Sequence, residues 1–271
     1  MKKTSVLIII QLVVFCFSGI AQSRHLQIAS RVLNSVTKKY APDKRTAICN
    51  LQATESSGKI TVKGKTDLPE AQKMVIDSLG VYGISFRDSM VILPEKSLGD
   101  KTWGIVKLSV ANVRTVPSHA GEMATQTLMG TPVKILDKRG GWLLVQTPDS
   151  YTGWTDDPAA ELNEEEITAW KGSDRLIYTG HTGVITDSRG ETVSDIVFGV
   201  ILVKTGARGD YWTVALPDGR TGEVNKREAE DFTKWSESAT IEPQRLIRFA
   251  RTFTGSPYLW GGTSTKGVDC S

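Results

Sequence analysis

The feature that most restricts this chain is an internal repeat. Displacing the sequence by 69 positions lays Gly130 on Gly199, Arg139 on Arg208, Gly140 on Gly209 and Val145 on Val214. Pro148-Asp149 then falls on Pro217-Asp218, and Thr152-Gly153 on Thr221-Gly222. Eight identities within a window of 24 residues mark two copies of one structural unit. Trp142 and Trp212 lie one step off the same register. Within each copy short apolar runs, such as Val133-Lys134-Ile135-Leu136 and Trp142-Leu143-Leu144-Val145, alternate with Gly, Asp and Pro turns. That spacing predicts small antiparallel barrels of about 60 residues each, at 101–160 and 173–232. Asn163 and Glu166 stand at capping-box spacing and predict a short helix between them.

Upstream, residues 26–96 read as a small α+β domain. Ile28, Val32, Leu33 and Val36 have helical spacing, and Pro42 stops the run. Strand-like runs at 46–53 and 59–65 flank Glu55-Ser56-Ser57-Gly58, a good hairpin loop. Asp67 is the expected cap of a second helix, with Pro69 in its first turn and Ala71, Met74, Val75 and Leu79 on its buried face. A last strand is expected from Met90 to Leu93. None of these segments gathers titratable groups into a site.

Lys2 and Lys3 precede an apolar run from Val6 to Phe17 and then Ser18-Gly19-Ile20-Ala21. This has the form of a secretory signal peptide, 1–21, cleaved so that the exported protein begins at Gln22. The run is too short to cross a membrane comfortably, so no stable membrane anchor is expected. Phe15 is bulky where a lipoprotein signal wants a small residue before Cys16, which argues against lipidation. The expected location is therefore periplasmic or extracellular. A formal charge of +3, with scattered basic residues, gives no reason to expect nucleic acid as a partner. Cys49 lies in an apolar run of the first domain and is expected to pack there, unbridged to Cys270. The lone His25 is expected in solvent, and His119 and His181 have no Cys, His or acidic neighbour at metal spacing. No metal or cofactor is expected.

The chemistry gathers in residues 255–271, G-S-P-Y-L-W-G-G-T-S-T-K-G-V-D-C-S. A helix is predicted over 242–254, where Leu246, Ile247, Phe249, Ala250 and Phe253 form an apolar stripe opposite Arg245, Arg248 and Arg251. A Gly-rich loop follows, and then Cys270. A thiol opening a helix behind such a loop would gain from the N-terminal amides, which lower its pKa and favour the thiolate. Taken alone, Cys270 reads more readily as a small buried residue, as most lone cysteines are.

The pattern P-Y-x-W-G-G followed by D-C-S resembles the nucleophile segment of the NlpC-type, papain-like cell-wall cysteine peptidases. The first repeat copy, with Ala111-Asn112-Val113-Arg114 and Tyr151-Thr152-Gly153-Trp154, resembles the bacterial SH3-like domains found beside such peptidases; the second copy resembles them more loosely. The resemblance implies a multidomain chain: a small α+β domain, two SH3-like β-barrels, then at 241–271 the first segment of a papain-like α+β peptidase domain. It implies hydrolysis of the γ-D-glutamyl to diamino acid bond in peptidoglycan or muropeptide stem peptides, with a free N-terminal L-alanine. Cys270 would be the nucleophile and Tyr258 the hydroxyl beside the oxyanion. Asp269 and Glu122 would hold the substrate amine, Tyr151 would close the end of the cleft, and Ser271 would line it through its backbone. Trp260 and Gly261-Gly262 would shape the turn.

In that family the base histidine and its orienting residue follow the cysteine, and neither His25, His119 nor His181 lies in a matching segment. The coding sequence is therefore expected to continue past Ser271, and the 271 residues alone are expected to be inactive. The competing expectation is a secreted, non-catalytic peptidoglycan-binding module built on the SH3-like pair.

Overall fold

A computed structural model of the chain describes residues 23–238 and 242–270. The expected signal peptide at 1–21, the start at Gln22, Cys16 and Ser271 lie outside the described residues. Among those described, no helix is long and apolar enough to cross a membrane.

The first unit is an α-β-β-α-β arrangement. Ser23 caps helix α1 (Arg24–Tyr40) by accepting from the amide of Leu26. Strands β1 (Cys49–Ser56) and β2 (Lys59–Thr66) form a hairpin whose turn residues, Ser57 and Gly58, both have positive φ. A two-residue turn of that kind matches the strand twist. Helix α2 (Pro69–Val81) then returns the chain to β3 (Phe86–Ile92), which pairs parallel to β2. Both helices cover one face of the three-stranded sheet: Ala29, Leu33 and Val36 meet Ile60, Val62, Val75 and Leu79 in a single core. Cys49 is buried in that core.

Two local expectations change here. Asp67 does not cap α2. The residue before Pro69 is Leu68, and the Asp67 carboxylate instead accepts from the amide of Ile48, tying the hairpin's entry to its exit. Strand β1 also starts three residues later than its apolar run suggested. The Asp43 side chain accepts from the Arg45 amide, and the amide of Thr46 donates to the Asp43 carbonyl, so 43–46 is a turn.

The repeat region folds as two seven-stranded antiparallel sheets joined by a helix. The first contains β4 (Trp103–Val106), β5 (Val110–Arg114), β6 (Met123–Leu128), β7 (Pro132–Arg139), β8 (Trp142–Gln146), β9 (Thr152–Asp156) and β10 (Ala159–Leu162), in the order β10-β4-β7-β8-β9-β5-β6. Helix α3 (Glu164–Gly172) follows and carries the full capping box: the Asn163 side chain accepts from the Glu166 amide while the Glu166 carboxylate accepts from the Asn163 amide. The second sheet contains β11 (Arg175–Tyr178), β12 (Thr182–Thr186), β13 (Thr192–Val197), β14 (Ile201–Arg208), β15 (Tyr211–Ala215), β16 (Thr221–Asn225) and β17 (Ala229–Asp231). Its order is β13-β12-β16-β15-β14-β11-β17.

The starts of β6, β7, β8 and β9 each precede those of β13, β14, β15 and β16 by 69 residues. The connection between β5 and β6 (115–122) is three residues longer than its counterpart between β12 and β13 (187–191). The two sheets abut directly. Met129, from the first, is fully buried in the core of the second, and the Ile201 amide donates to its carbonyl at 3.0 Å.

The first unit is clamped to the first sheet by one mixed interface. Ile48 and Leu93 join Leu136, Leu144 and Trp154 in an apolar cluster. Beside it the Lys65 ammonium reaches Asp137 at 2.7 Å and Glu95 at 2.6 Å. Burial opposes the charge on Lys65, but its hydrogen bonds to Asp137 and Glu95 outweigh that and hold the ammonium above its ordinary value. After the second sheet come α4 (Phe232–Ser238) and α5 (Pro243–Thr252). A two-rung hairpin, β18 (Thr263–Ser264) and β19 (Gly267–Val268), leads to Cys270.

Candidate active site

The Cys270 segment is held by its own backbone and by both sheets. Within it, the Gly262 amide donates to the Leu259 carbonyl, the Leu259 amide to Val268, and the Asp269 amide to Gly262. The Asp269 carboxylate accepts from the Gly261 amide at 3.2 Å. Asp269 thus fastens the two ends of the Gly-rich loop, directly before the cysteine. Gly261 has φ of 71°, and a Cβ there would sit 2.9 Å from the backbone oxygen of Met123. Only glycine allows the loop this close to β6. A Cβ at Gly262 would likewise press on the Gly267 carbonyl, so the hairpin itself needs glycine there. The expectation that the paired glycines shape the turn has this geometric basis.

Contacts to the first sheet centre on Gln126, a buried side chain of β6. Its Oε1 accepts from the Thr263 amide at 3.1 Å and from the Ser264 hydroxyl at 3.0 Å, while its Nε2 donates to Asn112 Oδ1 at 3.0 Å. The Thr263 hydroxyl donates to the Gln126 carbonyl. Contacts to the second sheet are made by the next two residues of the hairpin. The Thr265 hydroxyl donates to the His181 carbonyl at 2.8 Å, and the Lys266 ammonium is paired with Asp195. Burial would raise the Asp195 carboxyl, but the bond from Lys266 prevails and holds it below its ordinary value. Helix α5 adds an aromatic contact: the Phe249 ring lies 4.7 Å from that of Phe198 and 5.2 Å from that of Phe253.

Of the residues expected at the site, Cys270 is exposed as a free thiol, and Asp269 adjoins it. Tyr258 is 65% exposed, and its backbone forms an isolated bridge with Val268. Trp260 is also largely exposed. Glu122 is exposed at the end of the 115–122 loop, where its carbonyl accepts from the Thr115 amide. It immediately precedes Met123, whose backbone receives Gly261. Tyr151 is half-buried and faces the first unit: the Arg45 guanidinium stands 5.7 Å over its ring, and the next amide, Thr152, donates to the Arg45 carbonyl. The Cys270 segment thus meets β6 at Met123, the residue after Glu122, and Tyr151 has its neighbour in the N-terminal unit. His119 pairs with Asp156, and His181 meets Phe253 edge-on. Among the described residues no group of three His, Cys, Asp or Glu could hold a metal ion.

Gln126, Asp195 and Lys266 escaped sequence reasoning. A signal was present, because Gln126 and Asp195 are themselves 69 positions apart. They are not identical, so a search for matching residues passes over them.

Part of the chain is similar to known proteins. Residues 113–157 match the family model described as the bacterial dipeptidyl-peptidase Sh3 domain. That span runs from the end of β5 to just beyond β9, so the first sheet is a bacterial SH3 domain in a β-rich, multidomain chain. The curated γ-D-glutamyl-L-lysine dipeptidyl-peptidase of Bacillus cereus is 26% identical over 180 residues, covering 62% of this chain and 54% of that protein. Dipeptidyl-peptidase 6 of Lysinibacillus sphaericus is 24% identical, covering 62% of this chain and 65% of that protein. The crystal structure of an NlpC/P60 family protein from Bacillus cereus superposes with a TM-score of 0.52 at 20% identity, covering 62% of this chain and 68% of that one. Together these make the chain similar to NlpC/P60 peptidases that carry SH3 domains. The matched region spans about half the length of the γ-D-glutamyl-L-lysine dipeptidyl-peptidases, 54% and 49%.

Proposed function

We propose that this protein is an exported cysteine endopeptidase that hydrolyses the γ-D-glutamyl to diamino acid bond of peptidoglycan stem peptides bearing a free N-terminal L-alanine. In this reading the chain comprises a signal peptide, an α+β domain, two SH3-like domains and the opening segment of the peptidase domain. The observation that carries it is an exposed thiol, Cys270, in a segment whose Gly-rich loop packs through Gly261 on Met123 of β6, the residue after Glu122. The curated relatives named as γ-D-glutamyl-L-lysine dipeptidyl-peptidases support the same bond class.

The chemistry assigned to these residues is acyl transfer. The Cys270 thiolate attacks the γ-carbonyl carbon, the developing oxyanion takes a hydrogen bond from the Tyr258 hydroxyl, and the amine of the diamino acid leaves. Water then releases the acyl group. Glu122 and Asp269 face the alanine ammonium, whose desolvation in a closing cleft must be offset by a carboxylate. Tyr151 closes the end of the site, and Ser271 lines it through its backbone.

The test uses protein made from the complete coding sequence, with L-Ala-γ-D-Glu-diamino acid peptide and its N-acetylated form as substrates. Release of L-Ala-D-Glu is followed by mass spectrometry. Glu122→Gln should lower kcat/KM on the free-amine peptide by about 1.5–3 kcal/mol, the worth of a hydrogen bond to a charged group. It should barely change the blocked peptide. Equal losses on both peptides remove Glu122 from the amine site. Wall binding without cleavage of either peptide would instead identify a non-catalytic binding module.

A further inference from the structure

The C-terminal hairpin is gripped at one repeated position. Gln126 of β6 and Asp195 of β13 stand 69 residues apart, the displacement that relates the two sheets, and each holds one side of the same six-residue turn. Gln126 takes Thr263 and Ser264; Asp195 takes Lys266. We propose that Gln126 and Asp195 are paired positioning residues, which together fix the hairpin and so set where the Cys270 thiol stands and how reactive it is. This rests on the reading of Cys270 as the nucleophile, and adds to it a role for the second copy that the chemistry itself does not require.

The two grips are of different kinds. The Gln126 site is interior: Gln126 is 9% exposed and Ser264 2%. Its single oxygen answers a backbone N–H and a hydroxyl, and its NH2 group is fixed by Asn112. Removing that oxygen would strand two donors away from water. The Asp195–Lys266 pair is at the rim, with both side chains about half exposed, and such pairs contribute little individually. The amide is therefore the dominant anchor, and the ion pair orients the far side of the turn. From Thr263 the restraint passes to the cysteine in few steps. Thr263 pairs with Val268, and Asp269, the residue before Cys270, is bonded to both glycines of the loop. A hairpin loosened at Ser264 keeps the Thr263 hydroxyl bond to the Gln126 carbonyl as its tie to β6, so the thiol would sample a wider range of positions.

The experiment reads the hairpin and the thiol directly, without requiring turnover. Protein from the complete coding sequence, with Cys49→Ser to leave one reporter thiol in the described region, is compared as Gln126→Leu, Gln126→Glu and Asp195→Asn. Hydrogen exchange is followed at the Thr263 amide, and the rate of Cys270 alkylation by iodoacetamide is followed against pH. Gln126→Leu should raise Thr263 exchange by about tenfold or more, the equivalent of one lost hydrogen bond, and should move the pH profile of Cys270 alkylation. Gln126→Glu keeps an acceptor at the same place and should restore most of the protection. Asp195→Asn should give a smaller change, confined to residues 264–267. A purely structural role would lower the melting temperature of Gln126→Leu without moving the alkylation profile, and that result overturns the proposal. Unchanged Thr263 exchange in Gln126→Leu overturns it as well. If Gln126→Leu does not fold, the Gln126→Glu and Asp195→Asn profiles decide: both identical to that of the parent protein would contradict the clasp. Failure of the parent to cleave any stem peptide would defeat the proposed activity and leave these exchange results standing.

Discussion

The two repeat copies share a chain path and differ in what they hold. At the positions related by 69 residues, Arg139 lies 5.0 Å over the ring of Trp154 in the first copy, while Arg208 makes a two-pronged bond to Glu223, 2.6 Å on each arm, in the second. Asp137, buried and paired with Lys65 of the N-terminal unit, is matched by Gly206, a residue with no side chain to offer. Both strands carry the same bulge there, between Ile135 and Asp137 and between Lys204 and Gly206, so the backbone feature is shared although the side-chain use is not. The longer β5–β6 connection, ending in Glu122, is found in the first copy alone. One copy has become a hub that fastens the N-terminal unit on one side and the Cys270 segment on the other. Its twin takes Met129 of the first copy into its core and supports the hairpin at its rim. A duplicated fold divides labour in this way because side chains can change while the strand register is retained.

The largest effect that would sharpen this contrast involves a pair of glycines at matching positions. Gly130 and Gly199 both have positive φ, 80° and 89°. A side chain at Gly130 would overlap the Ile201 carbonyl at the junction of the two sheets, whereas one at Gly199 meets only the end of the Leu128 side chain. Gly130→Ala should therefore cost about 3 kcal/mol or more, since backbone must move. Gly199→Ala should cost about 1–2 kcal/mol, the left-handed backbone alone. Urea unfolding of the two variants measures this directly, and equal losses would show that the junction yields easily.

A smaller effect concerns pH. The Arg208 hydrogen bonds hold the Glu223 carboxyl below its ordinary value, against the opposing influences of burial and of Asp187. A depressed carboxyl pKa stabilises the fold fully above the unfolded value, and this contribution fades as pH falls through the lower, folded value. The Arg139–Trp154 pair has no group that titrates there. On acidification below about pH 4, near the ordinary glutamate pKa, amides of β15 and β16 should lose protection before those of β8 and β9. Arg208→Met should remove that acid sensitivity and raise the Glu223 pKa, as read by NMR titration. Matching pH profiles for the two sheets would break the distinction at this position.

Much of the frame was legible in the sequence because it depends on local, periodic signals. The identities at Gly130, Gly140 and Thr152-Gly153 fall in the turns and tight strand approaches that the shared chain path needs, so they survived in both copies. The Asn163–Glu166 box announced α3, and apolar spacing announced α1 and α2. The Asp67 cap was misplaced because its partner, the Ile48 amide, is 19 residues away in sequence, and spacing reports only near neighbours. The start of β1 was misplaced because the turn made by Asp43 overrode an apolar run. In the candidate segment, the D-C-S motif could be read by resemblance, and Glu122 was expected there on that resemblance alone. The clasp could not, because Gln126 reaches Thr263 across 137 residues, and its counterpart in the second copy is an aspartate. Tyr151 shows the same limit: its contact with Arg45 crosses a domain boundary that no periodicity encodes.

The central claim is that Cys270 is the reacting group, held on the first SH3 domain. It is tested most directly by alkylating that thiol and measuring peptide cleavage on the same sample. Cys270 is exposed and Cys49 is buried, so brief iodoacetamide treatment of native protein should modify Cys270 first, as peptide mass mapping can verify. One carbamidomethyl group at Cys270 should abolish release of L-Ala-D-Glu from the free-amine stem peptide, with loss of activity proportional to modification. Full cleavage by protein quantitatively alkylated at Cys270 would contradict the account.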